Sequence, residues 1–145
     1  MYKKPYELNS NFGSAGFMND FISSLTNGEI LIQLNASYAR EGKMKSKNLK
    51  YVLKVQADGN VVLNDRHRWT PGSSIWHSGS HGQGTPPYHL KMEQSNDLVL
   101  YDGTGNVTWS SGTAGMGKQR AGQLVLQNDA TMIIHDGSSL LWKRP

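Results

Sequence analysis

Five residues at alternate positions could recognise a ligand: Gln56, Asp58, Asn60, Val62 and Asn64. Alternate positions of an extended strand share one face. That face displays an amide, a carboxylate, a second amide, one apolar patch and a third amide. A sugar hydroxyl both donates and accepts, so the array suits a polyol. Groups mounted on a strand are held better than groups on a loop. One such segment is also what an ordinary solvent-facing strand with turn residues would show. The pattern recurs, however, at Gln127, Asp129, Thr131, Ile133 and His135. The chemistry implied is hydrogen-bonded recognition, with no bond made or broken.

The elements that must hold these residues come from a repeat. Segments 53–65, 90–102 and 124–136 align without gaps, and Trp76, Trp109 and Trp142 follow them at intervals of 33 residues. Each copy reads as two strands around a tight turn, then a third strand ending near its tryptophan. The turns fall at Asp58-Gly59-Asn60, Ser95-Asn96-Asp97 and Asp129-Ala130-Thr131. One such unit cannot bury its own apolar face, but three can close around a shared axis. The three tryptophans are therefore expected to meet at the centre as core rather than as sugar platforms. The stretch Phe17–Leu25 is the one candidate for a helical turn or two, and reads equally as an irregular arm.

Composition agrees with a small all-β domain. The chain has 145 residues, enough for one domain with its own core. Leu, Ile, Val and Phe make up 30 residues, whereas Gly, Ser and Asn make up 42. Few apolar residues among many turn formers suggest several short strands. The absence of cysteine excludes a disulfide framework, a thiolate zinc site and a cysteine nucleophile. No apolar run approaches the ~20 residues of a membrane helix. The N-terminus shows no apolar signal region, so the expected location is cytoplasmic, or secreted without a leader. The net charge is +4, with lysines at 43, 45, 47, 50 and 54. These read first as a solvated strand and loop, and alternatively as an attraction to anionic surfaces.

The motif Gln-x-Asp-x-Asn-x-Val-x-Tyr, present three times in altered forms with a Trp after each, resembles the bulb-type (monocot-type) mannose-binding lectins. The resemblance covers residues 26–145 and leaves residues 1–25 as an arm of unclear role. It implies an all-β, type II β-prism fold: three four-stranded sheets around a pseudo-threefold axis, with the tryptophans at the hub. It also implies a shallow mannose pocket on each sheet. In that scheme Asp and Asn hold the 2-hydroxyl, Gln the 3-hydroxyl and Tyr the 4-hydroxyl, while Val touches the ring carbons. The first copy matches at Gln56, Asp58, Asn60 and Val62, with Asn64 in place of Tyr. The third keeps Gln127 and Asp129, has Ile133 for Val, and replaces Asn and Tyr by Thr131 and His135. The middle copy keeps Val99 and Tyr101, but Glu93, Ser95 and Asp97 replace Gln, Asp and Asn. A one-residue slip to use Gln94 and Asn96 would turn them to the opposite face.

The expected partners are mannose-type glycans or glycoproteins. A shallow monosaccharide site binds weakly, at roughly millimolar affinity. Avidity then calls for a homodimer or higher oligomer, and the resemblance implies exchange of the C-terminal strand 139–142. Plant members usually carry a disulfide in the first subdomain, and its absence argues against a typical secreted storage lectin. No cofactor, metal, nucleic acid or membrane insertion is expected, and no enzymatic activity. The rival reading is a protein-interaction or anionic-surface module with decayed sugar sites.

Other signals carry less. Gly112–Lys118 matches a phosphate-binding loop, but Gln119 stands where Ser or Thr is required and a strand follows instead of a helix. His67, His77, His81 and His89 lie in or near Gly/Ser-rich loop and read as surface histidines rather than convergent metal ligands. Asn35 and Asn106 open glycosylation sequons that have no meaning without a secretory route.

Overall fold

A computed structural model describes residues 23–26, 29–32, 43–68 and 73–145. Among the described residues twelve strands follow in order: β1 (Ser24–Thr26), β2 (Ile30–Ile32), β3 (Lys43–Lys45), β4 (Tyr51–Val55), β5 (Val61–Asp65) and β6 (Trp76–His77) come first. Then come β7 (His89–Met92), β8 (Leu98–Tyr101), β9 (Val107–Ser110), β10 (Gly122–Leu126), β11 (Met132–Asp136) and β12 (Ser139–Arg144). They form three antiparallel four-stranded sheets, ordered β3-β4-β5-β6, β2-β7-β8-β9 and β1-β10-β11-β12. Each repeat supplies three consecutive strands, as expected. The fourth strand of each sheet comes from the segment ahead of the first repeat. Most of the expected arm and of the stretch Phe17–Leu25 lies outside the described residues, although Ser24 and Leu25 belong to β1.

The hairpins close where the turn residues predict. The Gln56 N–H donates to the Asn60 carbonyl at 2.9 Å, Glu93 to Asp97 at 2.8 Å and Gln127 to Thr131 at 2.9 Å. The middle residue of each turn is left-handed: Gly59, Asn96 and Ala130 have φ of 90°, 73° and 73°. At Gly59 a Cβ would also lie 2.8 Å from the Tyr88 ring, so glycine serves both conformation and packing there.

Alternation then sorts the side chains. Met44, Leu53, Val55, Val61 and Leu63 point into the core from the first sheet, and Leu90, Met92, Leu98, Leu100, Leu124, Leu126, Met132 and Ile134 from the others. At the centre the three tryptophans meet edge to face, with ring centroids 5.7, 5.9 and 6.2 Å apart. This is the hub that the 33-residue spacing anticipates. Strand β12 pairs with β11 of its own chain, and that pairing brings Trp142 into the hub.

Buried carboxylates fasten the repeats to the long connections. Asp102 Oδ1 accepts from the Thr104 and Asn106 N–H groups and the Thr104 hydroxyl, and its Oδ2 accepts from the Thr85 N–H at 3.0 Å. Asp136 accepts from the Gln119 and Ala121 N–H groups and from the Asn96 amide. The Gly112–Lys118 segment is one of these connections. A Cβ at Gly117 would clash with the Asp136 carboxylate, and strand β10 follows. The loop is structural, as its sequence context indicates.

These contacts make the fold acid-sensitive. Led by the Thr104 hydroxyl, the donors around Asp102 hold its carboxyl down to about 2, and backbone donors, Ala121 first, also lower Asp136. In the unfolded chain an aspartate titrates near ~4. Between about pH 4 and pH 2 the unfolded state takes up protons that the native carboxylates refuse, so stability falls as pH falls. Urea unfolding followed across this range should show that slope, and Asp102→Asn should flatten it. An unchanged slope in the variant would count against the assignment.

Candidate functional site

The first sheet gathers the first set of residues on its outer face. Only Val62 and Asn64 sit on a strand; Gln56, Asp58 and Asn60 belong to the β4–β5 turn. The turn at Asp58-Gly59-Asn60 is where the sequence places it, and Gln56, expected on the strand, belongs to the turn as well. The turn still presents its side chains beside the strand, because the Gln56–Asn60 backbone bond continues the ladder. Asp58 Oδ1 accepts from the Asn60 N–H at 3.0 Å, while its Oδ2 lies 3.8 Å from His81 Nε2. Asn60 Oδ1 accepts from the Ser78 hydroxyl and from the Gly79 and Ser80 N–H groups. That oxygen holds the loop after β6, so the Nδ2 donors are what Asn60 can offer a ligand.

Below them the face is unusually covered. Val52, Val62 and Asn64 are 7%, 6% and 4% exposed. Among the described residues, Asn64 Oδ1 is the buried side-chain oxygen that accepts no hydrogen bond. An acceptor in that state carries an energetic penalty and calls for a donor.

The second sheet has the same layout with its groups already engaged. The Tyr101 hydroxyl donates to Glu93 Oε2. That bond, with burial and the nearby Glu93 and Asp97 charges, pushes the phenol up to about 12. Lys91 adds an ion pair to Glu93 at 3.8 Å. Asp97 Oδ1 accepts from the Ser111 hydroxyl and from the Gly112 and Thr113 N–H groups, the loop-holding role of Asn60. Ser95 is exposed, and Val99 lies beneath at 6% exposure. Asn96 is 1% exposed and points inward, donating to the Met116 carbonyl and Asp136 and accepting from the Gly122 N–H. A slip in register is thereby excluded.

The third sheet is the most open. Gln127 and Asp129 are exposed, and Thr131, Ile133 and His135 half-buried. Asp129 Oδ1 accepts from the Thr131 N–H at 3.0 Å, and donation from Thr131 lowers its carboxyl. His135 Nδ1 lies 3.0 Å from the Gly137 carbonyl, a contact in which the ring nitrogen must donate because a carbonyl only accepts.

Among the described residues no three His, Asp or Glu side chains converge as metal ligands. One histidine departs from expectation: His89 is half-buried and stacks on Tyr101 with centroids 5.0 Å apart. Its proximity to Tyr101 follows from the β7–β8 register, where the two are direct partners.

No protein-family model matches the chain. Two sequence relatives do. A candidate lectin of Acanthamoeba polyphaga mimivirus is 26% identical over 98 residues, 68% of this chain. The chain spans only 44% of that protein's length. Plumieribetin, a B-type lectin of Scorpaena plumieri, is 25% identical over 108 residues, covering 74% of this chain and 88% of its own. A crystal structure of monomeric monocot mannose-binding lectins from Gastrodia elata superposes with a TM-score of 0.67 at 28% identity. It covers 84% of this chain and 96% of that one. The chain shares its fold with those lectins, three four-stranded sheets built from a threefold repeat.

What the repeat pattern does not reveal is the neighbourhood of the first face. Lys43 and Lys45 on β3 and His77 on β6 share it, and nothing in the repeat pattern assigns them there. The pairing register does: Lys43 lies opposite Lys54, Lys45 opposite Val52, and His77 opposite Val62.

Proposed function

We propose that this lectin binds a mannose-like sugar on its first sheet. Gln56 and Asp58 would meet ring hydroxyls, Asn60 would donate from Nδ2, Val62 would lie under ring carbons and Asn64 would accept at Oδ1. The observation that carries the reading is the buried Asn64 Oδ1 without a donor, on the face where the motif converges. The mannose-binding description of the Gastrodia elata structure supports the sugar class. Gln127, Asp129, Thr131, Ile133 and His135 form a second, shallower site in this proposal. The middle copy is closed by its own Tyr101–Glu93 bond.

Titrating isotope-labelled protein with methyl α-mannoside, and following backbone amide shifts, tests this directly. Shifts should concentrate at 56–64, appear more weakly at 127–135 and be absent at 93–101. A folded protein with no shift for any glycan would favour the interaction module instead.

A further inference from the structure

We infer that the cavity between the second hairpin turn and the Gly112–Ala121 connection binds an oxyanion, a carboxylate, sulfate or phosphate group, held by Arg120 and Lys118. This site is separate from the two faces proposed for sugar and does not rest on that reading. The argument begins with two connections built alike. In each a glycine of positive φ lies against a buried aspartate, Gly84 on Asp102 and Gly117 on Asp136. They differ in what fills the space behind the hairpin turn. Register places Tyr88 and Gly122 at corresponding positions, each just ahead of the residue that pairs with Tyr101 or His135. In the first copy the Tyr88 ring, 2% exposed, covers Gly59 and donates its hydroxyl to the Gln83 carbonyl. In the second copy the sizes are exchanged: Asn96 stands where the turn has glycine, and Gly122 where the connection has tyrosine. An asparagine side chain is much smaller than a tyrosine. The second copy accordingly keeps a cavity of about 480 Å3 beside its turn.

The lining of that cavity favours one sign of charge. Gln94 and Ser95 come from the turn, Lys118 and Arg120 from the connection, and all four side chains carry hydrogen-bond donors. Among the described residues no Asp or Glu lines it. Asp136 lies beneath at 1% exposure, and it accepts from the Gln119 and Ala121 N–H groups and the Asn96 amide. Those backbone donors are therefore committed. An anion here is held by side chains, not by a run of backbone N–H groups as in a phosphate-binding loop.

Arg120 is the residue that points to a ligand. Its φ is 52°, the left-handed region that suits glycine and makes a bulky side chain an outlier. The N–H groups on either side of it, of Gln119 and Ala121, are both tied to Asp136. That clamp holds the conformation and leaves the Arg120 side chain exposed at the cavity. For folding alone, glycine would serve better at this position. A strained arginine kept beside a lysine at the mouth of a cavity fits a task in binding. Its guanidinium presents a planar fork of donors that matches two oxygens of an oxyanion, and the Lys118 ammonium adds a point charge.

The test titrates isotope-labelled protein with inorganic phosphate, with sulfate and with methyl glucuronide, at ionic strength held constant with sodium chloride. Methyl glucoside is the neutral control. Amide shifts at 94–96 and 115–120 should saturate with an oxyanion and stay flat with methyl glucoside, and the tightest of the three probes identifies the acid. The affinity should fall in high salt. R120G should raise the urea midpoint, because glycine accepts this backbone conformation. It should also weaken the anion by about tenfold or more, the scale of a hydrogen bond to a charged group. K118Q should weaken it less, and K47Q, on an exposed loop elsewhere, should leave it unchanged. An R120G midpoint below that of wild type would make Arg120 a packing residue and overturn the inference. So would binding that persists in R120G/K118Q, or shifts scattered over the exposed lysines instead of gathered at the cavity. Each of these results would leave the proposed sugar binding on the first sheet standing.

Discussion

Trp142→Ala should remove about 3–5 kcal/mol of stability, the range for deleting a large aromatic from a core. Trp142 is 8% exposed and touches both other hub tryptophans edge to face, at 5.9 and 6.2 Å between centroids. Truncation therefore removes its own burial and one side of two aromatic contacts, each worth ~1 kcal/mol beyond area. It also loosens β12, which holds its place partly through that ring and which the Arg144 guanidinium flanks at 5.2 Å. A domain of this size has roughly 5–15 kcal/mol in total, so the loss is a large share of it. Urea unfolding monitored by circular dichroism reads the change. Trp76→Ala and Trp109→Ala, from partly buried positions, should cost less than Trp142→Ala but still shift the midpoint. A Trp142→Ala protein as stable as wild type would mean that the hub is not the joint of the three sheets.

The hub was legible because its information is redundant. Three tryptophans at equal intervals, each behind an apolar β-branched strand, have one economical solution, and the structure adopts it. The turns were legible for a local reason: a left-handed middle position suits Gly59 and Asn96, and the same spacing carried the assignment to Ala130. The fourth strand of each sheet was not legible from the repeat. Strands β1, β2 and β3 have three residues each, too few to show a period, and their partners lie far along the chain. For the same reason the lysine run looked like a solvated stretch. Lys47 and Lys50 are indeed exposed, but strand pairing turns Lys43, Lys45 and Lys54 onto the candidate face. The motif itself predicted the shared face of Gln56 to Asn64. It did not show that Gln56 opens that turn rather than ending the strand, or that Tyr101 answers to Glu93, because both depend on hairpin geometry rather than residue type.

Asp58→Ala and Asn60→Ala should separate binding from support within the first site. Both residues belong to the motif, yet they do different structural work. Asp58 accepts one bond, from the Asn60 N–H inside its own turn, and its side chain is 42% exposed. Its removal should leave the unfolding midpoint nearly unchanged. It should weaken a sugar that donates to the carboxylate by about tenfold or more, since hydrogen bonds to charged groups are worth ~1.5–3 kcal/mol. At a millimolar starting affinity that is loss of detectable binding. Asn60 Oδ1, by contrast, holds Ser78, Gly79 and Ser80. Asn60→Ala strands three donors and should lower stability by about 1–3 kcal/mol as well as weaken the sugar. Asn60→Asp tests the division further. It keeps the acceptor, as Asp97 does in the second repeat, but removes the amide donors. Stability should return toward wild type while sugar affinity stays low. If Asn60→Asp instead restored both, the Nδ2 group would have no part in recognition, and the site would reduce to Gln56, Asp58 and Asn64.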